Sequence, residues 1–261
     1  MSLSWEISDD DIATTQNFIK KYMNCDNAQK RVVDNVVLPA PIVTKEIMWE
    51  VMFDCLLSSM QRSGPTSPIA NFLNTKPFPL PLSTCQSAQH LGLFVERTLS
   101  EHNCNRFRKQ IGVSSEENLQ FFTGNKWSEF KNILSPLCQT RNRTPEMGDK
   151  IHERIASHWL NDSFRGFGPK QSRNYIQLLG ISRYEIPIDS RFVNWLINCN
   201  FPIFIDGKKL QEINRKRLNT LLSVTYWYDS ILDKIQELSM RSNILPCVLD
   251  GCVFGSFDAI E

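Results

Sequence analysis

Apolar residues recur every three or four positions along most of this chain, a spacing that is typical of amphipathic α-helices. The pattern is clearest in residues 12–22, 47–60, 90–99, 151–160 and 210–238. No segment alternates apolar and polar residues as a half-buried β-strand would. Helix start signals agree, because Thr44 precedes one apolar run, and Ser114 with Glu117 has capping-box spacing before another. We therefore predict an all-α fold.

The composition is that of a globular protein with its own core. The 261 residues carry a net charge of +1, so affinity for a polyanion must come from local basic patches. The most apolar run, residues 47–60, is interrupted by Glu50 and Asp54 and is too short to cross a bilayer, so we predict a buried helix and no membrane partner. Eight cysteines occur without a CxxC pair and the N-terminus lacks a signal-peptide pattern. We expect an intracellular protein, in the cytoplasm or nucleoid if the source is prokaryotic.

Loop-like segments divide the chain into three predicted parts. Pro, Gly and Ser cluster in residues 63–68 and 77–83, and a polar segment covers residues 139–148. We predict an N-terminal helical extension in residues 1–43 and a first helical lobe in residues 44–144. A second lobe in residues 145–261 would carry C-terminal helices that pack back. The two lobes are predicted to flank a cleft.

The segment that carries most chemical information is residues 165–173, Arg-Gly-Phe-Gly-Pro-Lys-Gln-Ser-Arg. Helical patterns on both sides predict a tight glycine turn between two helices. Gly166 and Gly168 can adopt conformations closed to other residues and let a phosphate approach the backbone amides. Pro169 suits the first position of the second helix, which places Lys170 in its first turn. Such a turn can hold a DNA backbone without reading bases, although a GxG turn also joins helices that bind nothing.

Asp189 follows Lys170 by nineteen positions, in the segment Ile-Pro-Ile-Asp-Ser-Arg. It is placed to cap a helix that begins near Arg191. A neutral lysine amine is a nucleophile for sugar carbons, and backbone N–H groups at a helix start stabilise an anion beside it. The simpler alternative is an ordinary surface lysine with a capping aspartate.

Together these residues resemble the helix-hairpin-helix superfamily of DNA glycosylases, in which a GxGxK turn precedes an aspartate in a hydrophobic-Pro-hydrophobic-Asp setting. The three cysteines after Asp189 cannot supply the four-cysteine iron–sulfur loop of some members. The resemblance is therefore closest to the 8-oxoguanine DNA glycosylase/lyases without a cluster. It implies a monomer without cofactor that flips a damaged base out of double-stranded DNA. Lys170 would form a Schiff base and Asp189 would assist it.

The resemblance also implies a set of DNA contacts. Residues 54–63 look like the superfamily helix whose polar end residue fills the gap left by the flipped base. The register leaves Met60 or Gln61 in that place, and we favour Gln61, with Arg62 as a phosphate or opposite-base contact. The remaining expected DNA contacts are Gly166, Gly168, Arg173 and Arg191. The basic residues between positions 165 and 191, which outnumber the acids, are Arg165, Lys170, Arg173, Arg183 and Arg191.

Two features of the resemblance leave questions open. We expect no catalytic metal, and any cation held by backbone carbonyls near Gly166 and Gly168 would be structural. Asn174 stands where one oxoguanine branch carries a cysteine in its base pocket, so the lesion itself is open. The alternatives are the same chemistry on a different lesion and a non-catalytic helix-hairpin-helix module that only binds DNA.

Overall fold

The computed structural model describes residues 2–59 and 66–258 and is mostly helical, as predicted. The α-helices, in chain order, are α1 (Asp9–Tyr22), α2 (Asp26–Arg31), α3 (Lys45–Leu57), α4 (Pro68–Asn74), α5 (Leu82–Ser87), α6 (Leu91–Glu101), α7 (Arg108–Asn118), α8 (Lys126–Arg141), α9 (Asp149–Ser163), α10 (Pro169–Leu178), α11 (Ser190–Asn198), α12 (Arg215–Leu222), α13 (Thr225–Arg241) and α14 (Pro246–Asp258). A π-helical turn follows α2 at Val32–Val37, and 3-10 turns span Leu119–Phe121 and Leu210–Glu212.

A small antiparallel sheet departs from the all-helical prediction. Its strands are β1 (Leu3–Ser4), β2 (Phe204–Ile205) and β3 (Lys208–Lys209), with β2 in the middle. Each strand has two residues, which is too short for an alternating pattern to be recognised in the sequence. The sheet ties the N-terminal residues to the segment that follows α11.

The first hydrophobic core forms around α3. Met48, Trp49 and Phe53 are buried there, and the Trp49 indole N–H donates a hydrogen bond to the carbonyl of Leu80 at 2.9 Å. Residues from 48 to 181 supply this core, including buried faces of α8, α9 and α10. The most apolar segment of the sequence is thus a buried helix, as predicted. Within the described ranges, no helix has the length and apolar character needed to cross a membrane.

The second hydrophobic core joins the two ends of the chain. Trp5 and Ile7, just before α1, pack with buried residues of the segment 186–253, which includes α11, α13 and α14. Tyr228 on α13 is fully buried in this core. The N-terminal residues therefore share a core with the C-terminal helices, while the domain boundaries at residues 44 and 145 stay a prediction.

A buried polar network connects the end of α10 to the start of α11. The Glu153 carboxylate on α9 accepts hydrogen bonds from the backbone N–H groups of residues 183–185, each at 2.8 Å. Burial raises the pKa of Glu153 to about 7, and these hydrogen bonds oppose the rise. The buried Glu185 side chain pairs in turn with Arg173 on α10 at 2.8 Å. This network holds the two helices that carry Lys170 and Asp189.

The two helix start signals had different outcomes. Thr44 caps α3 as predicted, because its hydroxyl accepts a hydrogen bond from the Ile47 N–H at 3.3 Å. The capping box predicted at Ser114 is wrong, since Ser114 lies inside α7, which begins at Arg108. The Ser114 side chain packs against the turn at Gly166. A serine that is used for tertiary packing looks the same in the sequence as one that caps a helix.

Candidate functional site

A five-residue turn, residues 164–168, joins α9 to α10 and is held by one asparagine. The Asn118 side chain at the end of α7 accepts a hydrogen bond from the Arg165 N–H at 2.8 Å and donates one to the Arg165 carbonyl at 3.0 Å. Asn118 is buried, so both bonds are shielded from water. No sequence pattern indicates Asn118, although its side chain fixes the backbone at the start of the predicted turn.

The two glycines of this turn have different structural roles. Gly166 has a φ of +84°, and a Cβ there would lie 2.8 Å from Leu56 Cδ2 and 2.9 Å from Ser114 Oγ. Gly168 has a φ of −127°, which any residue can adopt, and a Cβ there would meet no heavy atom within 4 Å. Packing inside the protein therefore requires Gly166 to be glycine. It gives no reason for Gly168, whose bare backbone borders open space.

Lys170 is the second residue of α10, directly after Pro169, as predicted. The first turns of α10 pack on α3, because the Gln171 amide donates a hydrogen bond to the Cys55 carbonyl at 2.7 Å and Asn174 Nδ2 lies 3.6 Å from Cys55 Sγ. Lys170 is half-buried. In the part of the chain that the structure describes, its ammonium forms no ion pair within 4 Å and no hydrogen bond.

Asp189 is the N-cap of α11, as predicted. Its Oδ1 accepts hydrogen bonds from the backbone N–H groups of Arg191 at 2.8 Å and Phe192 at 3.0 Å. The segment before it is held by the buried Tyr228 hydroxyl, which accepts a hydrogen bond from the Ile188 N–H at 2.5 Å and donates one to the Ile186 carbonyl at 3.1 Å. The carboxylate is thus held by the start of α11, and the backbone before it is held by the core.

The charges of Lys170 and Asp189 both influence the carboxyl group of Asp250 on α14. Burial raises the pKa of the Asp250 carboxyl to about 6; the negative charge of Asp189 adds to the rise, whereas Arg31 and Lys170 oppose it. Arg31 at the end of α2 forms an ion pair with Asp250, with its Nε 3.6 Å from Asp250 Oδ2. The charges of Lys170, at the start of α10, and of Asp189, at the N-cap of α11, therefore both influence this one carboxyl.

Close packing of α2 on α14 brings Arg31 to Asp250. A Cβ on Gly251 would lie 2.8 Å from Ala28 Cα, and one on Gly255 would lie 2.3 Å from Cys25 Sγ. The two glycines are four residues apart and therefore share one face of α14. Only glycine at both positions lets the helices approach this closely, so the Gly251 and Gly255 pair places Arg31 beside Asp250.

Asp54 is a further acid near Lys170, on α3 next to Cys55. Burial raises the pKa of the Asp54 carboxyl to about 6, and the positive charges of Arg31, Lys170 and Lys30 oppose the rise. The residue still keeps some solvent exposure. Within residues 2–59 and 66–258, its carboxylate has no hydrogen bond and no ion pair within 4 Å. Asp54 is thus a partly buried acid that solvent can reach and that has no direct polar partner among the described residues.

Asp54→Asn is expected to raise the free energy of unfolding at neutral pH by about 2 kcal/mol. The folded pKa lies above the unfolded value of 3.8, so the stability that Asp54 contributes is present below about pH 4 and is lost as pH rises through about 6. The asparagine has no such loss. Denaturant unfolding at about pH 4 and about pH 7.5 measures both states. The control is Glu50→Gln, one turn earlier on α3, and a less stable Asn variant at neutral pH would contradict the prediction.

Arg173 does not contact solvent, and the expectation that it binds DNA is wrong. Its guanidinium is fully buried and bonds to Glu185, Asp229 and the carbonyl of Pro169, with the Tyr228 ring 4.4 Å away. A buried guanidinium with satisfied donors stabilises the fold and cannot reach a phosphate. The sequence could not show this, because two of the partners come from the distant helix α13.

Arg183 is also buried, and its guanidinium donates hydrogen bonds to backbone carbonyls. It is therefore not part of the predicted basic surface. Arg191 stays at the site: its guanidinium carbon lies 3.6 Å from the centre of the Phe254 ring, and its Nε lies 3.7 Å from Asp189 Oδ2. Arg165 is exposed and pairs with Glu117 at 3.0 Å. Gln61 and Arg62, and with them Met60, lie outside the described residues.

The resemblance implies a structural cation held by the backbone carbonyls of the turn. The Gly168 carbonyl already accepts hydrogen bonds from the Ser172 N–H at 3.0 Å and from the Ser172 hydroxyl at 2.9 Å. Both of its lone pairs are used, so it does not fit a cation ligand. The cation stays a prediction for the carbonyls near Gly166 alone. Among the described side chains, no three His, Cys, Asp or Glu residues are grouped to hold a metal ion.

The residues that the sequence analysis missed at this site are Arg31, Asp54, Asp250 and Asn118. One signal was available for Asp54, because it interrupts the most apolar segment of the chain. A second was the Gly251 and Gly255 spacing, which favours close helix packing near Asp250. Neither signal shows that the ends of the chain meet at Lys170.

No family model matches the chain, and no curated protein matches it by sequence. The roles of Lys170 and Asp189 therefore depend on their own chemistry, on the geometry described above and on the resemblance of the motif.

Proposed function

We propose that this protein is a DNA glycosylase and abasic-site lyase that removes an oxidised base, 8-oxoguanine, from double-stranded DNA. The observation that carries the proposal is that Lys170 lies in the first turn of α10, directly after the glycine turn, while two backbone N–H groups fix the Asp189 carboxylate at the N-cap of α11. Both charges also influence the buried Asp250 carboxyl. An amine and a fixed anion are the two groups that this chemistry needs.

In the proposed reaction, the neutral Lys170 amine attacks C1′ of a nucleotide that has been extruded from the duplex. The glycosidic bond breaks, and its electron pair leaves with the base. Positive charge develops on the sugar in the transition state, where the Asp189 carboxylate stabilises it. Opening of the sugar ring converts the new C1′–N bond into a Schiff base, and β-elimination then breaks the strand.

The turn at residues 164–168 supports binding of the DNA backbone. Gly168 leaves its backbone uncovered at the start of α10, where unpaired N–H groups and the positive end of the helix dipole favour a phosphate. The exposed Arg165 lies on the same turn. These contacts position a duplex without reading its sequence, as lesion search requires.

Gly168→Ala is expected to weaken DNA binding about tenfold without lowering stability, because an added Cβ would meet no protein atom within 4 Å and would obstruct only a bound phosphate. Gly166→Ala is the matched variant, and it is expected to lower the free energy of unfolding by about 2 kcal/mol through its positive φ and its contacts with Leu56 and Ser114. Fluorescence anisotropy with a labelled duplex and denaturant unfolding measure the two effects. Unchanged DNA affinity for Gly168→Ala would remove the turn from the DNA interface.

The identity of the lesion is supported by the motif resemblance alone. Asn174 lies four residues after Lys170 and therefore on the same face of α10, with its amide near Cys55. A cysteine occupies the corresponding position in one oxoguanine branch. The substrate is accordingly the part of the proposal that needs the broadest test.

A panel of duplexes tests the proposal. It includes 8-oxoguanine opposite each of the four bases, uracil, a ring-opened purine, an abasic site and undamaged DNA as the control. We expect strand cleavage and borohydride trapping at 8-oxoguanine. Cleavage at another lesion only would support the same chemistry on a different substrate. Binding without cleavage or trapping on any duplex would instead support a DNA-binding module.

A further inference from the structure

The lysine ammonium must lose a proton before its nitrogen can attack a sugar carbon. The charge of Lys170 influences the carboxyl groups of Asp54 and Asp250, and Asp189 is the third carboxylate of the site. We propose that Asp54 accepts this proton, an inference that rests on the proposed function. It would give Asp54 a role separate from that of Asp189, which stabilises the positive charge on the sugar.

The other two carboxylates are already engaged. Asp189 caps α11 through two backbone N–H groups and has the Arg191 guanidinium 3.7 Å from its second oxygen. Asp250 is buried, with Arg31 at 3.6 Å. Asp54 alone of the three has no hydrogen bond or ion pair within the described ranges, so its lone pairs are available for a proton.

Contacts between α3 and α10 bring the helix segment that carries Asp54 against the first turns of the helix that carries Lys170. Gln171 and Asn174 both contact Cys55, and these residues are the neighbours of Lys170 and Asp54 along their helices. Solvent can reach Asp54, which is only half-buried. The charged groups that face it are Lys170 on α10 and Arg31 and Lys30 on α2, and Asp250 on α14 lies beyond Arg31.

The proposed step is balanced in protons and electrons. One proton passes from the Lys170 ammonium to the Asp54 carboxylate, and the lone pair left on nitrogen forms the bond to C1′. The glycosidic bond breaks, and its electron pair leaves with the base. The proton held on Asp54 then neutralises the departing base, directly or through water. Because the Asp54 pKa is about 6, the group is a carboxylate and can accept a proton at neutral pH.

The test is the pH dependence of single-turnover base release on the best duplex of the panel. For the wild type we expect the rate to fall as pH drops below about 6, where Asp54 is protonated. Asp54→Asn is expected to be about a hundredfold slower at neutral pH. This variant should also lack the fall at acidic pH, because no carboxylate remains at position 54 to be protonated.

Conservative variants separate this role from a structural one. Asp54→Glu keeps a carboxylate and is expected to recover most of the rate and the fall at acidic pH. Asp54→Ser removes the carboxylate without added bulk and provides the result if the Asn variant does not fold. Glu50→Gln on the same helix is the control and is expected to keep the wild-type rate and pH profile.

The outcomes distinguish this inference from the proposed function. A wild-type rate and pH profile in the folded Asn or Ser variant overturns the role of Asp54 and leaves the proposed function in place. Absence of trapping by the wild type on every duplex overturns the proposed function, and this inference with it. A slow, folded Asn variant with the altered profile supports both.

Discussion

Lys170→Gln is expected to abolish base release and Schiff-base trapping while the fold and DNA binding remain. The amide of glutamine cannot attack C1′ or form an imine, so the expected loss is on the order of 10⁴-fold or more. The stability cost is small, because Lys170 is half-buried and its ammonium has no ion pair among the described residues. Single-turnover cleavage, borohydride trapping and denaturant unfolding measure the three properties on the same preparation.

Lys126→Gln is the matched control for this prediction. Lys126 also begins a helix, α8, and forms an exposed pair with Glu129 at 3.2 Å. Its replacement is expected to change neither cleavage nor trapping. Trapping by the Lys170 variant at the wild-type level would show that another amine is the nucleophile, and the mechanism proposed here would then be wrong.

Local chemistry explains what could be predicted from the sequence. Pro169 at the first position of α10 and Asp189 at the N-cap of α11 follow from preferences that act within one helical turn. The glycine turn could be predicted for the same reason, because the positive φ of Gly166 is a conformation that favours glycine whatever the rest of the fold is. Features that are decided within a few residues are therefore visible without the tertiary structure.

Arg31 and Asp250 could not be predicted because they come from opposite ends of the chain. Their meeting depends on the packing of α2 against α14 at Gly251 and Gly255, a contact between elements that are far apart in sequence. A contact between distant parts of the chain also made one prediction wrong, because it buries Arg173, which was expected to bind DNA. Its burial depends on Asp229 of α13, so a count of basic residues near the turn overestimated the charge available to DNA.

The buried acids Asp54 and Asp250 are expected to lower stability at neutral pH, as residues kept for a functional reason would. Burial raises the pKa of both Asp54 and Asp250 to about 6, so each is charged at neutral pH at a cost in free energy. An amide of similar size would avoid this cost. Asp54 also has no hydrogen bond or ion pair, within the described part of the chain, that would offset it. A variant that gains stability and loses activity would identify Asp54 as a residue kept for chemistry.

Asp189→Asn is expected to slow base release by about a hundredfold or more while DNA affinity stays near the wild-type value. Asparagine is an equally good N-cap, and its side-chain oxygen can accept the same bonds from the Arg191 and Phe192 N–H groups. Only the negative charge next to the sugar is lost, and that charge acts mainly in the transition state. Single-turnover base release and anisotropy with an uncleavable abasic-site analogue measure the two quantities separately.

Asp189→Ala provides the comparison that separates charge from capping. Alanine removes both, so its stability is expected to fall by about 1 kcal/mol below that of the Asn variant, while the two rates remain similar. The Asn variant should also lower the pKa of Asp250, since the charge of Asp189 raises it in the wild type. If the Asn variant cleaves at the wild-type rate and only the Ala variant is slow, Asp189 holds α11 in place and contributes nothing to the chemistry through its charge.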